Sequence, residues 1–146
     1  MWVTEEFKKY IENCQHLSFD NISITDFNDI IYSVGRGICK ETKLPISKSL
    51  LRVLLHFSLE NKSDYYIIEN YKNIISIQDN TENEDLDYKC ISRVIMPLFH
   101  KNKLCGSIIF SSYNAEKIFS YLDMEGIMAI KKVTEKFIKK FTADEI

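Results

Sequence analysis

Residues 93–113 read RVIMPLFHKNKLCGSIIFSSY, two apolar runs on either side of the polar turn His100-Lys101-Asn102-Lys103. Apolar runs joined by so short a polar link predict a β-hairpin. The first run is apolar on both faces: Val94, Met96 and Leu98 fall on one, Ile95 and Phe99 on the other. A strand with two apolar faces has to be covered twice. It is therefore expected in the middle of a sheet, with helices or a ligand cavity on each side. Small three-layer domains of this kind often sense or pair rather than catalyse, and no catalytic motif in the chain competes with that expectation.

Upstream of the hairpin, Asn21 to Asp26 alternates, with Ile22 and Ile24 on one face and Ser23 and Thr25 on the other. Asp29 to Val34 repeats the pattern through Ile30, Tyr32 and Val34, and Asp26-Phe27-Asn28-Asp29 supplies turn chemistry between them. Gly35-Arg36-Gly37 breaks the second strand. Tyr65 to Ile68 and Ile74 to Ile77 are further short strand candidates, followed by the acidic loop Asp79 to Asp87. Three helices are expected. Thr4 caps the first, with Glu5 and Glu6 in its first turn and Phe7, Tyr10, Ile11 and Cys14 on one face. The second runs from Ser47 through SKSLLRVLLHFSLEN, apolar on more than one face. The last starts at the capping box Ser120-Tyr121-Leu122-Asp123 and carries Ile127, Ile130, Val133 (or Thr134), Phe137 and Phe141 as a stripe. Lys131, Lys132, Lys136, Lys139 and Lys140 are read as lying off that stripe. The order helix, two strands, helix, strands, hairpin, helix gives an α+β class, an antiparallel sheet with helices on its faces.

A chain of 146 residues with 45% hydrophobic content is read as one domain, 1–146, with a sizeable core. The formal charge of −2 argues against a direct nucleic-acid-binding surface. Cys14, Cys39, Cys90 and Cys105 have neither C-x-x-C spacing nor a compact framework. The N-terminal MWVTEEFKKYIENC puts acids and lysines where a secretory signal needs an apolar core, and no apolar run reaches the length of a membrane span. Reduced thiols, a cytoplasmic location and no membrane partner are the expectation.

The hairpin VIMPLFHKNKLCGSIIFSS (94–112) resembles the late strand pair of GAF domains: an apolar strand with Pro, a polar turn, and a Gly-containing apolar strand. NISITDFNDIIYSVGRG (21–37) resembles the strand-Asp-strand opening of the C-terminal GAF-like domain of the stage V sporulation protein T family. ISKSLLRVLLHFSLENK (46–62) falls where that family carries its long middle helix, and the closing helix also falls in place. The similarity runs from about Thr4 to Phe141. It departs at the turn, Lys-Asn-Lys here where GAF domains often have Gly. The family's transcription factor also carries an N-terminal DNA-binding domain with no counterpart in this sequence. A stand-alone relative and a piece of a longer protein both fit, the initial Met-Trp-Val favouring a natural start. The resemblance implies five to six antiparallel strands, N- and C-terminal helices packed together, and a non-enzymatic regulatory module of a spore-forming bacterium. Such a module binds a small effector or a protein partner and dimerises through its helices.

Arg36 and Cys39, at the Gly35-Arg36-Gly37-Ile38-Cys39 break, with Tyr66 and Ser92, make the strongest ligand-binding candidates: glycines let backbone approach a ligand, and Arg36 can pair with a carboxylate or phosphate. Arg93 is a further anion anchor or an ion-pair partner at the sheet end. G-R-G is not a phosphate-binding loop, lacking the G-x-x-x-x-G-K pattern. Cys14, His16, His56 and His100 lack the spacing of a zinc site, and Asp79 to Asp87 lacks the glycine and spacing of an EF-hand, so no metal or cofactor is expected. Phe7, Tyr10, Ile11, Ile130, Val133, Phe137 and Phe141 either pack wholly on the chain's own sheet or form a homodimer interface. The resemblance and the frequency of two-fold pairing favour the homodimer. A partner-binding adaptor without a ligand is the alternative function, and a small hydrolase or thiol enzyme built on Cys39 or Cys105 the third.

Overall fold

The computed structural model describes residues 2–18, 20–26, 30–35, 53, 56, 60, 66–70, 92–112 and 118–142. Helix α1 spans Glu5–Ser18. Its entry is held by Thr4, whose Oγ1 accepts the Phe7 N–H at 3.2 Å while its carbonyl accepts the Lys8 N–H at 2.9 Å. Strands β1 (Asn21–Thr25) and β2 (Ile30–Gly35) pair antiparallel, and β3 covers Ile67–Asn70. Strands β4 (Ser92–His100) and β5 (Lys103–Ser112) form the long hairpin. Lys101 and Asn102 close it with φ of 51° and 62°, the positive pair that a two-residue turn needs to match strand twist. The capping box at Ser120 opens a 3-10 turn, Tyr121–Asp123, that runs into α2, Met124–Thr142. Of the expected middle helix, Val53, His56 and Glu60 are described and are helical. The strand expected at 74–77 and the acidic loop at 79–87 lie outside the described residues.

Among the described residues the sheet has five strands in the order β2-β1-β5-β4-β3, all neighbours antiparallel. The hairpin is therefore central, as its two-sided apolar pattern demands. Alternation along the pleat sends Ile22, Ile24, Val94, Met96, Leu98, Ile108 and Phe110 to one face, where they meet Trp2, Phe7, Ile11 and Cys14 of the N-terminal layer and Met124, Ile127, Ile130 and Ile138 of α2. Each of these larger apolar side chains contributes about 2 kcal/mol by leaving water.

The two helices run antiparallel on that face, with Tyr10 beside Phe137 and Glu6 beside Lys140. Trp2, Phe7 and Phe137 form an edge-to-face series at 5.1 and 5.2 Å between centroids, and Phe141 stacks on Phe137 at 6.3 Å. Phe7, Ile11 and Ile130 are buried in the chain's own core, so these three of the expected interface residues are not on offer to a second copy. Tyr10, Val133, Phe137 and Phe141 are half-buried. The inward stripe of α2 also differs from the expected one. It runs through Ile127, Ile130, Lys131, Thr134 and Ile138, and Lys131, read as lying off the stripe, is part of it and completely buried.

A second correction concerns Phe99. The register slips between Leu98 and Phe99, with Leu98 opposite Gly106 but Phe99 opposite Leu104. Beside this β-bulge, whose extra residue is Cys105 on β5, the Phe99 ring lies against Lys131 of α2 instead of joining Ile95 on the far face.

Close packing of β5 on β1 requires Gly106. A Cβ there would sit 2.0 Å from the Thr25 carbonyl oxygen and 3.0 Å from its carbon, at a φ of +156°. Gly106→Ala is expected to force β1 away from β5 and lower stability by roughly 2 kcal/mol or more, the scale of overpacking. Urea unfolding monitored by far-UV circular dichroism checks this, and an unchanged midpoint would show that β1 is free to shift.

Candidate functional site

The face of the sheet turned away from α1 and α2 is polar and nevertheless buried. Register places three rows across it: Asn21–Ser111–Arg93, Ser23–Ile109–Ile95 and Thr25–Ser107–Pro97, with Ser33 of β2 extending the second row beyond Ser23. Asn21, Ser23, Thr25, Ser107 and Ser111 are all buried, and so are Ile95 and Ile109, which do not belong to the helix-side core. On this face β1 thus contributes hydroxyls and a carboxamide, β5 contributes Ser107, Ile109 and Ser111, and β4 contributes Arg93, Ile95 and Pro97.

The polar groups are tied to one another. Ser23 Oγ donates to Asn21 Oδ1 at 2.7 Å and lies 3.1 Å from Ser33 Oγ, while Asn21 Nδ2 donates to Ser33 Oγ at 3.1 Å. Thr25 and Ser107 hydrogen-bond through their hydroxyls across β1 and β5. No buried side-chain nitrogen or oxygen among the described residues lacks a partner. Burial of such groups is tolerated only on those terms. Hydroxyls can nonetheless turn from donor to acceptor as a new partner arrives, so the array can exchange a mutual bond for one to a ligand. Arg93, half-buried at the end of the Asn21 row, adds a permanent cation.

Of the residues singled out in the sequence, Arg36 and Cys39 lie outside the described residues. The sheet separates the other three. Tyr66 packs on the helix-side core with Ile68. Ser92 is fully buried, and its Oγ accepts the Phe119 N–H at 3.0 Å, which fixes the chain entering α2. Arg93 alone projects to the polar face, because successive residues of a strand alternate sides. The members that sequence reasoning passed over are Asn21, Ser23, Thr25, Ser33, Ser107 and Ser111. Their signal was available: polar residues alternate with Ile22 and Ile24 in β1, and Ser107 and Ser111 flank apolar residues in β5.

Cys14 and Cys105, the cysteines among the described residues, have the opposite of nucleophilic activation. Burial pushes the Cys14 thiol up, against a smaller downward pull from the Tyr10 hydroxyl. Burial and the nearby Glu135 carboxylate both push Cys105 up. Reactive cysteines need an electropositive, accessible setting. Among the described residues no three potential metal ligands cluster, and no helix is long and apolar enough to cross a membrane.

The architecture is that of GAF domains. A GAF domain of a two-component sensor histidine kinase from Bacillus halodurans superposes with a TM-score of 0.63 at 15% identity, covering 100% of both chains. A red/green cyanobacteriochrome in its red light-absorbing state gives 0.63 at 12% identity, covering 99% of this chain and 97% of that one. The type II free methionine-R-sulfoxide reductase of Thermoplasma acidophilum gives 0.58 at 14% identity, covering 93% and 92%. No protein-family model and no curated protein matches the sequence. The likeness is therefore one of fold: an α+β, GAF-like arrangement of antiparallel sheet and helices.

Two outcomes are expected. Asn21→Ala strips Ser23 and Ser33 of a shared partner in a buried setting, a loss of about 1–3 kcal/mol in urea unfolding; a loss below the error of that measurement would mean that water reaches the row. Stability should also fall at alkaline pH. Tyr10 is held above its ordinary range by burial and by Cys14, and Tyr32 is pushed up to about 12 by burial and the Glu12 carboxylate. A group whose folded pKa is raised takes up its proton more tightly when folded, so its contribution is complete below the unfolded pKa and disappears as pH climbs towards the folded one. The decline should begin near pH 9 for Cys14 and near pH 10 for the tyrosines, read as the urea midpoint between pH 7 and 11. A flat profile to pH 11 would contradict it.

Proposed function

We propose that this chain is a non-enzymatic regulatory module of GAF type, in which a small effector engages the polar sheet face and the helical layer on the other face carries the response. The observation that supports this most is the burial of Asn21, Ser23, Thr25, Ser107 and Ser111 on the face that α1 and α2 leave alone. A sheet built only to support helices is better served there by apolar residues or by water, since a buried polar array gains little net stability. Reorientable hydroxyls, one carboxamide and the Arg93 guanidinium suit a polar, anionic metabolite whose apolar part rests on Ile95 and Ile109. Arg36 and Cys39, which follow Gly35 in the chain, complete the proposed ligand set, with Tyr66 and Ser92 bracing it from the helix side. The fold neighbours are in keeping with a signalling role, among them the sensor histidine kinase GAF domain.

The narrower assignment, a cytoplasmic homodimeric regulator in a sporulation-related or transcriptional pathway, draws on the sequence resemblance to the stage V sporulation protein T family. In that reading the pairing surface is the half-buried set Tyr10, Val133, Phe137 and Phe141 along the α1/α2 seam. A second function, partner-binding adaptor, is favoured by one feature: Tyr121 and Leu122 are 74% and 77% exposed, side by side at the start of α2.

Thermal-shift screening against phosphorylated and carboxylated metabolites, followed by calorimetry, tests the proposal. A ligand at a hundred times its Kd stabilises by about 2.7 kcal/mol, a rise of several degrees in Tm, and Arg93→Gln should weaken it at least tenfold. No stabilising compound, together with a strictly monomeric mass in solution, would overturn both the effector and the homodimer; retained partner capture lost on Leu122→Asp would then support the adaptor.

A further inference from the structure

The β-bulge in the central hairpin places two features on opposite sides of one short span of sheet. On the helix side, the N–H of Phe99, the residue next to the register shift, donates to Glu135 Oε2 at 2.7 Å. The same oxygen lies 3.3 Å from Lys131 Nζ, and that nitrogen stands 4.8 Å from the centroid of the Phe99 ring. Lys131 is 0% exposed and Glu135 20%. On the far side, Ser107 is the next residue along from Gly106, where the regular register resumes opposite Leu98, and it is hydrogen-bonded to Thr25. Cys105 is the residue of β5 that the register leaves without a partner across the strand pair.

A fully buried ammonium is an unusual way to dock a helix. Ile127, Ile130 and Ile138 already supply the apolar contact, and a buried ion pair about breaks even against apolar side chains of equal volume. What the pair adds is directional. A charged hydrogen bond from one named backbone amide, in a bulge, fixes where α2 sits along β4 far more narrowly than apolar packing does. Gly106 makes the same span sensitive to the other face, because the Thr25 carbonyl packs where its Cβ would be. A displacement at Thr25 or Ser107 therefore cannot be absorbed locally without moving the bulge.

We propose that the Phe99 amide, Glu135 and Lys131 form a latch that transmits changes at the Thr25–Ser107 position to the C-terminal half of α2. As a route for an effector signal it rests on the reading of the polar face given above, but the latch operates, and is tested, without any ligand. Communication between sites requires an element that both can bias, and the bulge is that element.

The test is native-state hydrogen exchange on the full chain in a mutant cycle: wild type, Ser107→Ala, Lys131→Met/Glu135→Leu, and the three substitutions together. Ser107→Ala should speed exchange of the Phe99 amide and of α2 amides beyond Lys131 at least tenfold, leaving α1 and β1 Ile22 unchanged. In the latch-less background α2 should no longer respond to Ser107→Ala. Should the double variant fail to fold, Glu135→Gln, which keeps an acceptor for Phe99 but removes the charge, is expected to halve the response or more. An equal α2 response with and without the latch overturns the proposal. So does a uniform acceleration across α1, α2 and the sheet, the mark of a purely structural role. A metabolite screen without any stabilising compound, in a protein whose cycle behaves as described, would remove the effector reading and leave the latch standing.

Discussion

The pleat of the central hairpin sends alternate residues of β4 and β5 to opposite sides of a sheet that is buried on both. In β5, Ile108 and Phe110 go to the helices while Ser107, Ile109 and Ser111 go to the other side. Every other feature is arranged around that division. β1 lies against β5 in a register that matches Ile22 to Phe110 and Ser23 to Ile109, so its apolar residues join the helix side and its polar ones the far side. A slip of one residue would exchange the two sets and bury isoleucines among hydroxyls, which is why the register is so strongly determined.

The helical layer is a closed unit. Trp2, Phe7 and Phe137 interlock the chain's N-terminal segment with α2, and Glu6 faces Lys140 at 3.8 Å across the exposed edge of the seam. That surface ion pair adds little. The aromatic contacts matter more, because they remove Phe7 from any external interface and leave a narrower half-buried strip. Lys131 departs from this apolar pattern beside the bulge: the Phe99 amide turns to Glu135 for its acceptor, and Lys131 is the buried counter-ion of that carboxylate.

The same architecture serves a cyanobacteriochrome, a free methionine-R-sulfoxide reductase and a sensor histidine kinase domain. One scaffold with such different occupations means that function resides in the residues set upon it. In this chain the residues set on the face away from the helices include short ones: serines, a threonine and an asparagine, with Arg93 at the end of one row. Short hydroxyl side chains offer hydrogen bonds in either sense. The thiols of Cys14 and Cys105, by contrast, are pushed towards the inert form by burial.

The local sequence by itself determined the elements that depend on neighbours in the chain. Periodicity placed α1, β1, β2, the hairpin and α2, and short-range chemistry placed the caps at Thr4 and Ser120 and the turn at Lys101-Asn102. It also implied a centrally placed hairpin, because two apolar faces need two covers. Strand alternation showed that Ser23 and Thr25 oppose Ile22 and Ile24. Which of those sides would be buried beneath helices and which would stay polar yet enclosed was decided only by tertiary packing. The same holds for Lys131, Phe99 and the separation of Ser92 from Arg93. A bulge shifts one strand by a single residue, and the contact beside it joins Phe99 to Glu135, 36 residues away, a distance that no local period contains.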